Sequence, residues 1–160
     1  MRLIIVRHAI AEDRDSVAWP DDGVRPLTKR GRRRFEGAAR GLSKLLPDVD
    51  LVLSSPYVRA WDTASILAQR TGWPAPVVCD ELRQGAPEDV LRALEGYKDL
   101  GTVAIVGHEP YLSQLIGHLI SPSSGVGLEL RKGAAACVDL SQGDPRLLWL
   151  LQPRVLRLLA

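Results

Sequence analysis

A short apolar run near the start of the chain constrains the fold most. Residues 2–7 read Arg-Leu-Ile-Ile-Val-Arg, and a short run rich in β-branched residues is typical of a buried strand. The run delivers Arg7 and His8 at its carboxyl end. Open α/β sheets bind ligands beyond the carboxyl ends of their strands, so we expect these two side chains to lie at a ligand site.

Two later stretches repeat this arrangement. Residues 51–53 form an apolar run that leads into Ser-Ser-Pro-Tyr-Val-Arg, which ends at Arg59, and residues 103–106 lead into Gly-His-Glu-Pro, which contains His108. If the three strands are parallel neighbours, their ends bring two arginines and two histidines to one edge of the sheet. A cluster of this kind suits a doubly charged anion.

Helical periodicity and turn residues predict the remaining elements. Apolar residues recur at helical spacing after Thr28, which can cap a helix, and Pro47 prevents its continuation. Proline at the first helical position predicts further helices that begin at Pro56, Pro87 and Pro110. A loop is predicted over residues 121–127, and strands at 77–79, 134–140 and 147–151. We therefore predict a three-layer α/β/α sandwich with a mostly parallel central sheet and an antiparallel strand near the carboxyl terminus.

The length and composition are those of one ordinary globular domain. The chain has 160 residues, of which 46% are hydrophobic and 25% charged, and no linker or repeat divides it, so residues 1–160 are predicted to form a single domain. Cys79 and Cys137 fit small core residues in a reducing compartment better than a disulfide. No signal-peptide pattern or bilayer-spanning stretch is visible, which predicts a cytoplasmic protein with no membrane partner.

One strongly basic cluster lies at residues 29–34, although the formal net charge is only +2. No aromatic residues are interleaved with these cations, so we interpret the cluster as a solvated helix face and expect no nucleic-acid partner. Docking of an acidic protein partner is a further interpretation that the sequence leaves open.

The motifs resemble those of a known family. Arg7-His8 after a first strand, Ser-Ser-Pro-x-x-Arg with a following Thr-Ala pair, and the late Gly-His-Glu-Pro are similar to the histidine phosphatase superfamily. Asp-Ser-Val at residues 15–17 and Val-Arg-Pro-Leu-Thr at residues 24–28 resemble its small SixA-type branch, the phosphohistidine phosphatases. The resemblance implies a phosphoglycerate mutase-like fold and a cofactor-independent phosphatase with a phosphohistidine enzyme intermediate.

The resemblance also implies a role for each site residue. His8 would accept the phosphoryl group. Phosphate binding and charge stabilisation would fall to Arg7, Arg59, His108 and, through the match to Val-Arg-Pro-Leu-Thr, Arg25. The residue types support the nucleophile independently, because a neutral imidazole attacks phosphorus well and nearby cations lower its pKa. An ordinary loop histidine and a surface arginine are the competing interpretations for His8 and Arg25. The histidine spacing gives no ligand set, so we predict no metal site.

The loop after the third strand departs from the family pattern. Larger members carry an acid there in a pattern close to Leu-x-Glu, whereas this chain has Gln84. Glu81 or Asp80 would have to act as general acid, and a merely solvent-facing carboxylate is an equal interpretation for Glu81.

The missing acid bears on the substrate. The imidazole of phosphohistidine leaves with less help from a general acid than an alkoxide needs. The absence of the family's acid therefore favours protein phosphohistidine as the substrate. The short chain also lacks a long insertion that would roof a narrow pocket, so we expect an open site. The alternatives are a phosphomonoesterase for small phosphate esters, with Glu81 or Asp80 as its acid, and a phosphate-binding module without turnover.

Overall fold

The computed structural model describes residues 1–121 and 127–160, so the predicted loop over residues 121–127 lies largely outside the described residues. Six strands are present in the described part, and they are β1 (Arg2–Arg7), β2 (Leu51–Ser54), β3 (Val77–Val78), β4 (Thr102–Gly107), β5 (Ala135–Asp139) and β6 (Arg146–Leu151). They form one sheet in the order β3-β2-β4-β1-β5-β6. β1 therefore lies inside the sheet, with β4 and β5 on either side.

The strand directions confirm the predicted sheet. β1 pairs in parallel with β4, β4 with β2, and β2 with β3. Within the described sheet, β5 is the strand that runs antiparallel to its neighbours, β1 and β6. The parallel part places the carboxyl ends of β1, β2 and β4 at the same edge.

The helices are α1 (Lys29–Leu45), α2 (Val58–Thr71), α3 (Pro87–Leu94), α4 (Tyr111–Ile120) and α5 (Pro153–Leu158), with 3₁₀ turns at Asp22–Val24, Asp80–Leu82 and Glu95–Tyr97. The Thr28 hydroxyl accepts a hydrogen bond from the Gly31 amide at 2.8 Å and so caps α1 as predicted. α2 begins two residues later than the predicted start at Pro56, because the amide of Tyr57 donates to the Ser55 hydroxyl in a local turn. No helix in the described ranges is long and apolar enough to cross a membrane.

The core is divided by the sheet into two clusters, which makes three layers. Alternate β1 residues face opposite sides: Ile4 packs with residues of α1, α2 and α5, whereas Ile5 packs with residues of α3 and α4. All four residues of the apolar run 3–6 are completely buried. The three-layer α/β/α sandwich is confirmed. Because β1 is buried on both faces of the sheet, its residues are apolar on both faces.

The sheet register brings the motif residues to one edge. Arg7 of β1 pairs with Gly107 of β4, and Ser54 of β2 lies across from Val106. Backbone hydrogen bonds continue past the strand ends, since the His8 amide donates to the Gly107 carbonyl at 3.0 Å. Residues that are far apart in sequence are therefore neighbours beyond the end of β1.

Candidate active site

A cavity of about 280 Å³ opens at this edge of the sheet. It is lined by the five residues that the sequence singled out for phosphate chemistry, which are Arg7, His8, Arg25, Arg59 and His108. The other lining residues are Glu12, Asp13, Arg14, Glu109 and Lys132. The structure therefore brings the first, second and third motif stretches and the loop after β1 into one site.

His8 lies at this site with a defined ring orientation. Its side chain is 5% exposed, and Nδ1 lies 2.7 Å from the carbonyl oxygen of Ala9. A carbonyl oxygen can only accept, so Nδ1 is the protonated nitrogen in this hydrogen bond. The lone pair is left on Nε2, which is the arrangement that a nitrogen nucleophile requires.

The surroundings of His8 keep the imidazole neutral. Burial is the largest cause, and the charge of His108 adds to it, so that the pKa of His8 falls to about 2. Arg59 and Arg7 lower this pKa further. At neutral pH the ring is therefore unprotonated, as we expected from the nearby cations.

His108 lies directly beside His8, with ring centroids 5.1 Å apart. Its Nε2 is 2.9 Å from the Ser55 hydroxyl. Burial first and then the positive charge of Arg59 lower the pKa of His108 to about 3. Both histidines are thus neutral at neutral pH, and they add no positive charge to that of the neighbouring arginines.

The two deeply buried arginines, Arg25 and Arg59, share one carboxylate. Arg59 Nη2 forms an ion pair with Asp22 Oδ2 at 2.9 Å, and Arg25 Nε donates a hydrogen bond to Asp22 Oδ1 at 2.8 Å. Burial alone would raise the pKa of Asp22, but the hydrogen bond from Arg25 and the charge of Arg59 hold it below its ordinary value. Asp22 therefore stays ionised and fixes both guanidinium groups.

Backbone carbonyls orient the arginines further. Arg7 Nη1 donates to the Leu130 carbonyl at 2.7 Å, and Arg25 Nη1 donates to the Glu12 carbonyl at 2.7 Å. Arg59 also lies over the ring of Tyr57, with the guanidinium carbon 4.9 Å from the ring centroid. These contacts hold the charged groups without filling their donor capacity, because each guanidinium has five N–H groups.

The unfilled capacity is concentrated in the cavity. In the part of the chain that the structure describes, three buried side-chain nitrogens have no hydrogen-bond partner: Arg7 Nε, Arg59 Nε and His108 Nδ1. All three belong to residues that line the cavity. Buried polar groups without partners are costly, and their occurrence together at one place indicates a site built for an oxygen-rich anion.

Thr63 connects the nucleophile loop to α2. Its hydroxyl oxygen accepts from the Ala9 amide at 3.0 Å and donates to the Arg59 carbonyl at 2.6 Å, and the side chain is completely buried. The residue that follows His8 and the helix that carries Arg59 are therefore joined through a single hydroxyl.

The candidate carboxylates lie in two different places. Glu81, Asp80 and Gln84 line a separate, adjacent pocket with Tyr57, and the Glu81 carboxylate accepts a hydrogen bond from the Cys79 thiol at 3.3 Å. Glu109 lies in the cavity itself. Burial raises the pKa of Glu109, although its carboxylate accepts a hydrogen bond from Ser113 at 2.9 Å.

Sequence reasoning therefore missed three groups at the site. Asp22 and Glu109 contribute carboxylates and Lys132 a cation, and none of them follows a recognisable spacing. Glu109 stood within the quoted Gly-His-Glu-Pro stretch, so its position directly after His108 was the available signal. Lys132 reaches the cavity from the segment before β5, in which no motif indicates a site.

The fold and the cavity together define a three-layer α/β protein. Positively charged residues form an anion-binding site at the carboxyl edge of its mostly parallel sheet. The chain belongs to the histidine phosphatase superfamily, because the model of branch 1 of that superfamily matches residues 3–86. Members of this superfamily are phosphatases, and the SixA-type relatives described next place the chain on the SixA side of it.

Known proteins with similar sequences or structures agree with this membership. A protein of Picosynechococcus sp. (strain ATCC 27264 / PCC 7002 / PR-6) is 34% identical over 153 residues, which cover 92% of this chain and 88% of that protein. The structure of the protein histidine phosphatase SixA complexed with tungstate matches 96% of this chain and 98% of its own, with a TM-score of 0.83 and 25% identity. The SixA protein of Nakamurella multipartitia matches 95% of each chain, with a TM-score of 0.77 and 29% identity.

Proposed function

We propose that this protein is a phosphatase that transfers a phosphoryl group to His8 and then to water, and that its substrate is phosphohistidine on a protein. The observation that carries the proposal is the set of three unpartnered buried nitrogens, on Arg7, Arg59 and His108, beside a neutral imidazole with a free Nε2. We further propose that residues 1–160 act as one histidine phosphatase domain, since one continuous sheet separates both core clusters.

In the first step the lone pair of His8 Nε2 attacks phosphorus, and the bond from phosphorus to the leaving group breaks. Charge spread over the three phosphoryl oxygens is stabilised by donors fixed before the reaction, namely Arg7 Nε, Arg59 Nε and His108 Nδ1. A dianion in the cavity also raises the pKa of His108, because an opposite charge favours the protonated form. His108 then adds a positive charge only while the phosphoryl group is present.

In the second step water attacks phosphorus, the bond to His8 breaks, and inorganic phosphate leaves. The hydrogen bond from His8 Nδ1 to the Ala9 carbonyl persists through both steps and stabilises the positive charge that the ring carries as a phosphoimidazole. Every role is filled by side chains of this chain, so the proposal includes no cofactor and no metal.

Three features support phosphohistidine as the substrate. The cavity is bordered by exposed residues of the loop after β1, including Asp13 and Arg14, so a side chain on a protein surface can reach it. The predicted acid Glu81 lies in the neighbouring pocket, and a leaving imidazole needs general-acid help least. The solved protein with a TM-score of 0.83 is itself described as a protein histidine phosphatase. The cytoplasmic location stays a prediction.

Hydrolysis of small phosphate esters is a second candidate, and Glu109 favours it. This carboxyl group lines the cavity and burial raises its pKa, which are the properties of a general acid. If esters are the substrates, Glu109→Gln lowers kcat for a sugar phosphate, whose alkoxide leaving group needs a proton, by about tenfold or more, whereas phosphohistidine turnover changes little. Equal and small effects on both would remove Glu109 as the acid.

The covalent step is tested by rapid quench with a short phosphohistidine peptide that carries labelled phosphorus. The wild-type protein should acquire an acid-labile, base-stable label, and His8→Ala should lose the label and at least about 10³-fold in kcat. His118→Ala is the matched control, since this histidine is partly exposed and lies beside Glu88 on the other face of the sheet. A wild-type protein that binds the peptide but never becomes labelled would be a phosphate-binding module.

The substrate is tested by comparing kcat/KM for the phosphohistidine peptide, p-nitrophenyl phosphate and sugar phosphates. The proposal expects the peptide to be the best of these substrates. A strong preference for the esters, with the label still on His8, would keep the mechanism and replace the substrate.

A further inference from the structure

A second, strongly basic pocket of about 200 Å³ lies beside the loop that follows His8. Among the described residues, five cationic ones line it and no carboxylate does: Arg34, Arg131, Lys132, Arg154 and Arg157. We call these five residues the basic face. They come from α1, from the segment before β5 and from α5, so no single stretch of sequence contains them.

The positive charge of the basic face is largely uncompensated. Arg131 lies 3.4 Å from the exposed Glu129, and the other four have no ion pair within residues 1–121 and 127–160. The positive charge of Arg30, and to a smaller extent that of Arg157, lowers the pKa of the exposed Arg34. The whole chain has a formal charge of only +2, so five cations around one pocket are a local excess of positive charge.

The basic face is continuous with the candidate active site. Lys132 lines both the basic pocket and the cavity that contains His8. The next residue, Gly133, donates its amide to the carbonyls of Arg7 and His8 at 3.1 and 3.0 Å. Gly133 has a φ of 82°, which favours glycine and lets the chain turn tightly at this point. The segment that carries Arg131 and Lys132 is therefore fixed to the nucleophile strand.

Hydrogen bonds also fix the basic face to α5. The Gln152 side chain accepts from the Arg131 amide at 3.2 Å and donates to the Glu129 carbonyl at 2.7 Å. Gln152 directly precedes α5, the helix that carries Arg154 and Arg157. The backbone segments that carry these cations are thus held at set positions relative to the cavity, as a surface for oriented docking requires.

We propose that the basic face docks an acidic surface of the phosphoprotein substrate and presents its phosphohistidine to the cavity; this inference rests on the proposed function. A docked partner contacts Lys132 at the rim while its phosphoryl group reaches His8. An acidic protein surface fits better than a nucleic acid, because the pocket is compact and the aromatic residue among its described lining, Phe35, is buried and offers no stacking surface. Complementary charge of this kind mainly accelerates and orients association.

Direct binding tests the docking independently of catalysis. Fluorescein-labelled short peptides that lack phosphate, one rich in glutamate and one with glutamine in its place, are titrated against the wild type and against His8→Ala. We expect the glutamate peptide to bind both proteins equally and the glutamine peptide to bind at least about tenfold more weakly. Binding should weaken as ionic strength rises.

Charge reversal identifies the surface. Arg154→Glu with Arg157→Glu should weaken binding of the glutamate peptide by about tenfold or more. Lys44→Glu with Lys98→Glu is the matched control, because both lysines are exposed and precede β2 and β4 at the opposite edge of the sheet. Arg34→Glu alone serves as a second variant on a different helix, should the double change in α5 reduce stability.

A kinetic comparison separates this inference from the proposed function. The double reversal should lower kcat/KM by about tenfold for phosphohistidine peptides flanked by glutamate. For peptides flanked by lysine it should raise kcat/KM. Turnover of p-nitrophenyl phosphate should stay within about twofold of the wild type. Equal binding by the double reversal and its control would overturn the docking even if His8 still becomes labelled. Tighter binding of single-stranded RNA or phosphatidylserine vesicles through the same arginines would also overturn it. Failure of labelling at His8, with peptide binding intact, would instead overturn the proposed function.

Discussion

Asp22 contacts Arg59 twice: its carboxylate forms an ion pair with Nη2 at 2.9 Å, and its backbone carbonyl accepts a hydrogen bond from Nη1 at 2.7 Å. The same carboxylate accepts from Arg25, so one residue of the loop after β1 sets the position of both arginines. The bonds occupy the terminal nitrogens of Arg59 and leave its Nε without a partner. Asp22 is thus a positioning residue for the phosphate site.

Asp22→Asn should lower kcat/KM for a phosphohistidine peptide by about 10 to 100-fold, because misplacement of a charged donor by an ångström is enough for a loss of this size. The asparagine amide would also turn a donor towards one of the two arginines. Steady-state kinetics on both a peptide and p-nitrophenyl phosphate provide the measurement, and both substrates should be affected.

Asp13→Asn is the control for this change. Asp13 is exposed and borders the same cavity. Its substitution by asparagine therefore removes one negative charge, as Asp22→Asn does, without removing a contact to Arg25 or Arg59. We expect an effect of less than about threefold, since an exposed charge is well screened. If both variants lose activity equally, Asp22 acts through its charge and not through the position of Arg59.

Thr63→Val should reduce both stability and activity. The change keeps the shape of the side chain but leaves the buried Ala9 amide without its acceptor, which costs about 1 to 3 kcal/mol in the free energy of unfolding. Because that amide follows His8, kcat should fall as well. Urea unfolding and turnover are measured on the same preparation.

Thr71→Val is the matched control in the same helix. The Thr71 hydroxyl also donates to a carbonyl four residues earlier, that of Leu67 at 2.8 Å, and accepts an amide bond, from Trp73 at 3.0 Å. It lies at the other end of α2, away from the cavity. We expect a loss of stability without a loss of kcat, and a fall in kcat for Thr71→Val would show that the activity merely follows stability.

Gly31→Ala should destabilise the protein and disturb the site. A Cβ at this position would lie 2.0 Å from the backbone carbonyl oxygen of Ile10, so α1 and the loop after His8 must separate. Overpacking of this kind costs about 1 to 3 kcal/mol. Gly117→Ala in α4 is the comparison, since no described atom outside its neighbours and the backbone of its own helix lies within 4 Å of its Cβ position. That change should be neutral or stabilise by up to about 1 kcal/mol, as measured by thermal unfolding.

Stability should fall between about pH 6.5 and pH 3 because of the two site histidines. Their pKa values of about 2 and about 3 in the folded protein lie below the ordinary value of 6.5, so the unfolded chain binds more protons in this range. The free energy of unfolding then decreases as the pH falls, by up to about 1.4 kcal/mol per pH unit for each histidine. Above pH 6.5 the contribution of both neutral histidines to stability is complete. Urea unfolding at a series of pH values measures the slope. His8→Gln with His108→Gln should flatten it, and an unchanged slope would mean that both rings are solvated.

Local patterning was enough to predict much of the protein. The apolar run before Arg7 identified the central strand, Thr28 identified the start of α1, and the polar residues after each strand identified the cavity lining. These predictions succeed because each depends on a few adjacent residues. A strand buried on both faces needs consecutive apolar residues, and a helix start needs a capping side chain. The residues directly after a strand lie at the edge of the sheet. The helix start at Pro56 was two residues early, since the turn between Ser55 and Tyr57 competes with the first helical bonds.

The amino-acid sequence by itself determined the sheet, the helices and the identity of the residues around His8, because each of these follows from short-range periodicity or from a motif. Only the tertiary structure decided that Asp22 holds two arginines, that Glu109 and not Glu81 lines the cavity, and that cations from three separate segments form the basic face. Such contacts depend on how loops and helices fold back over the strand ends, and residues that meet in this way need not share any spacing along the chain.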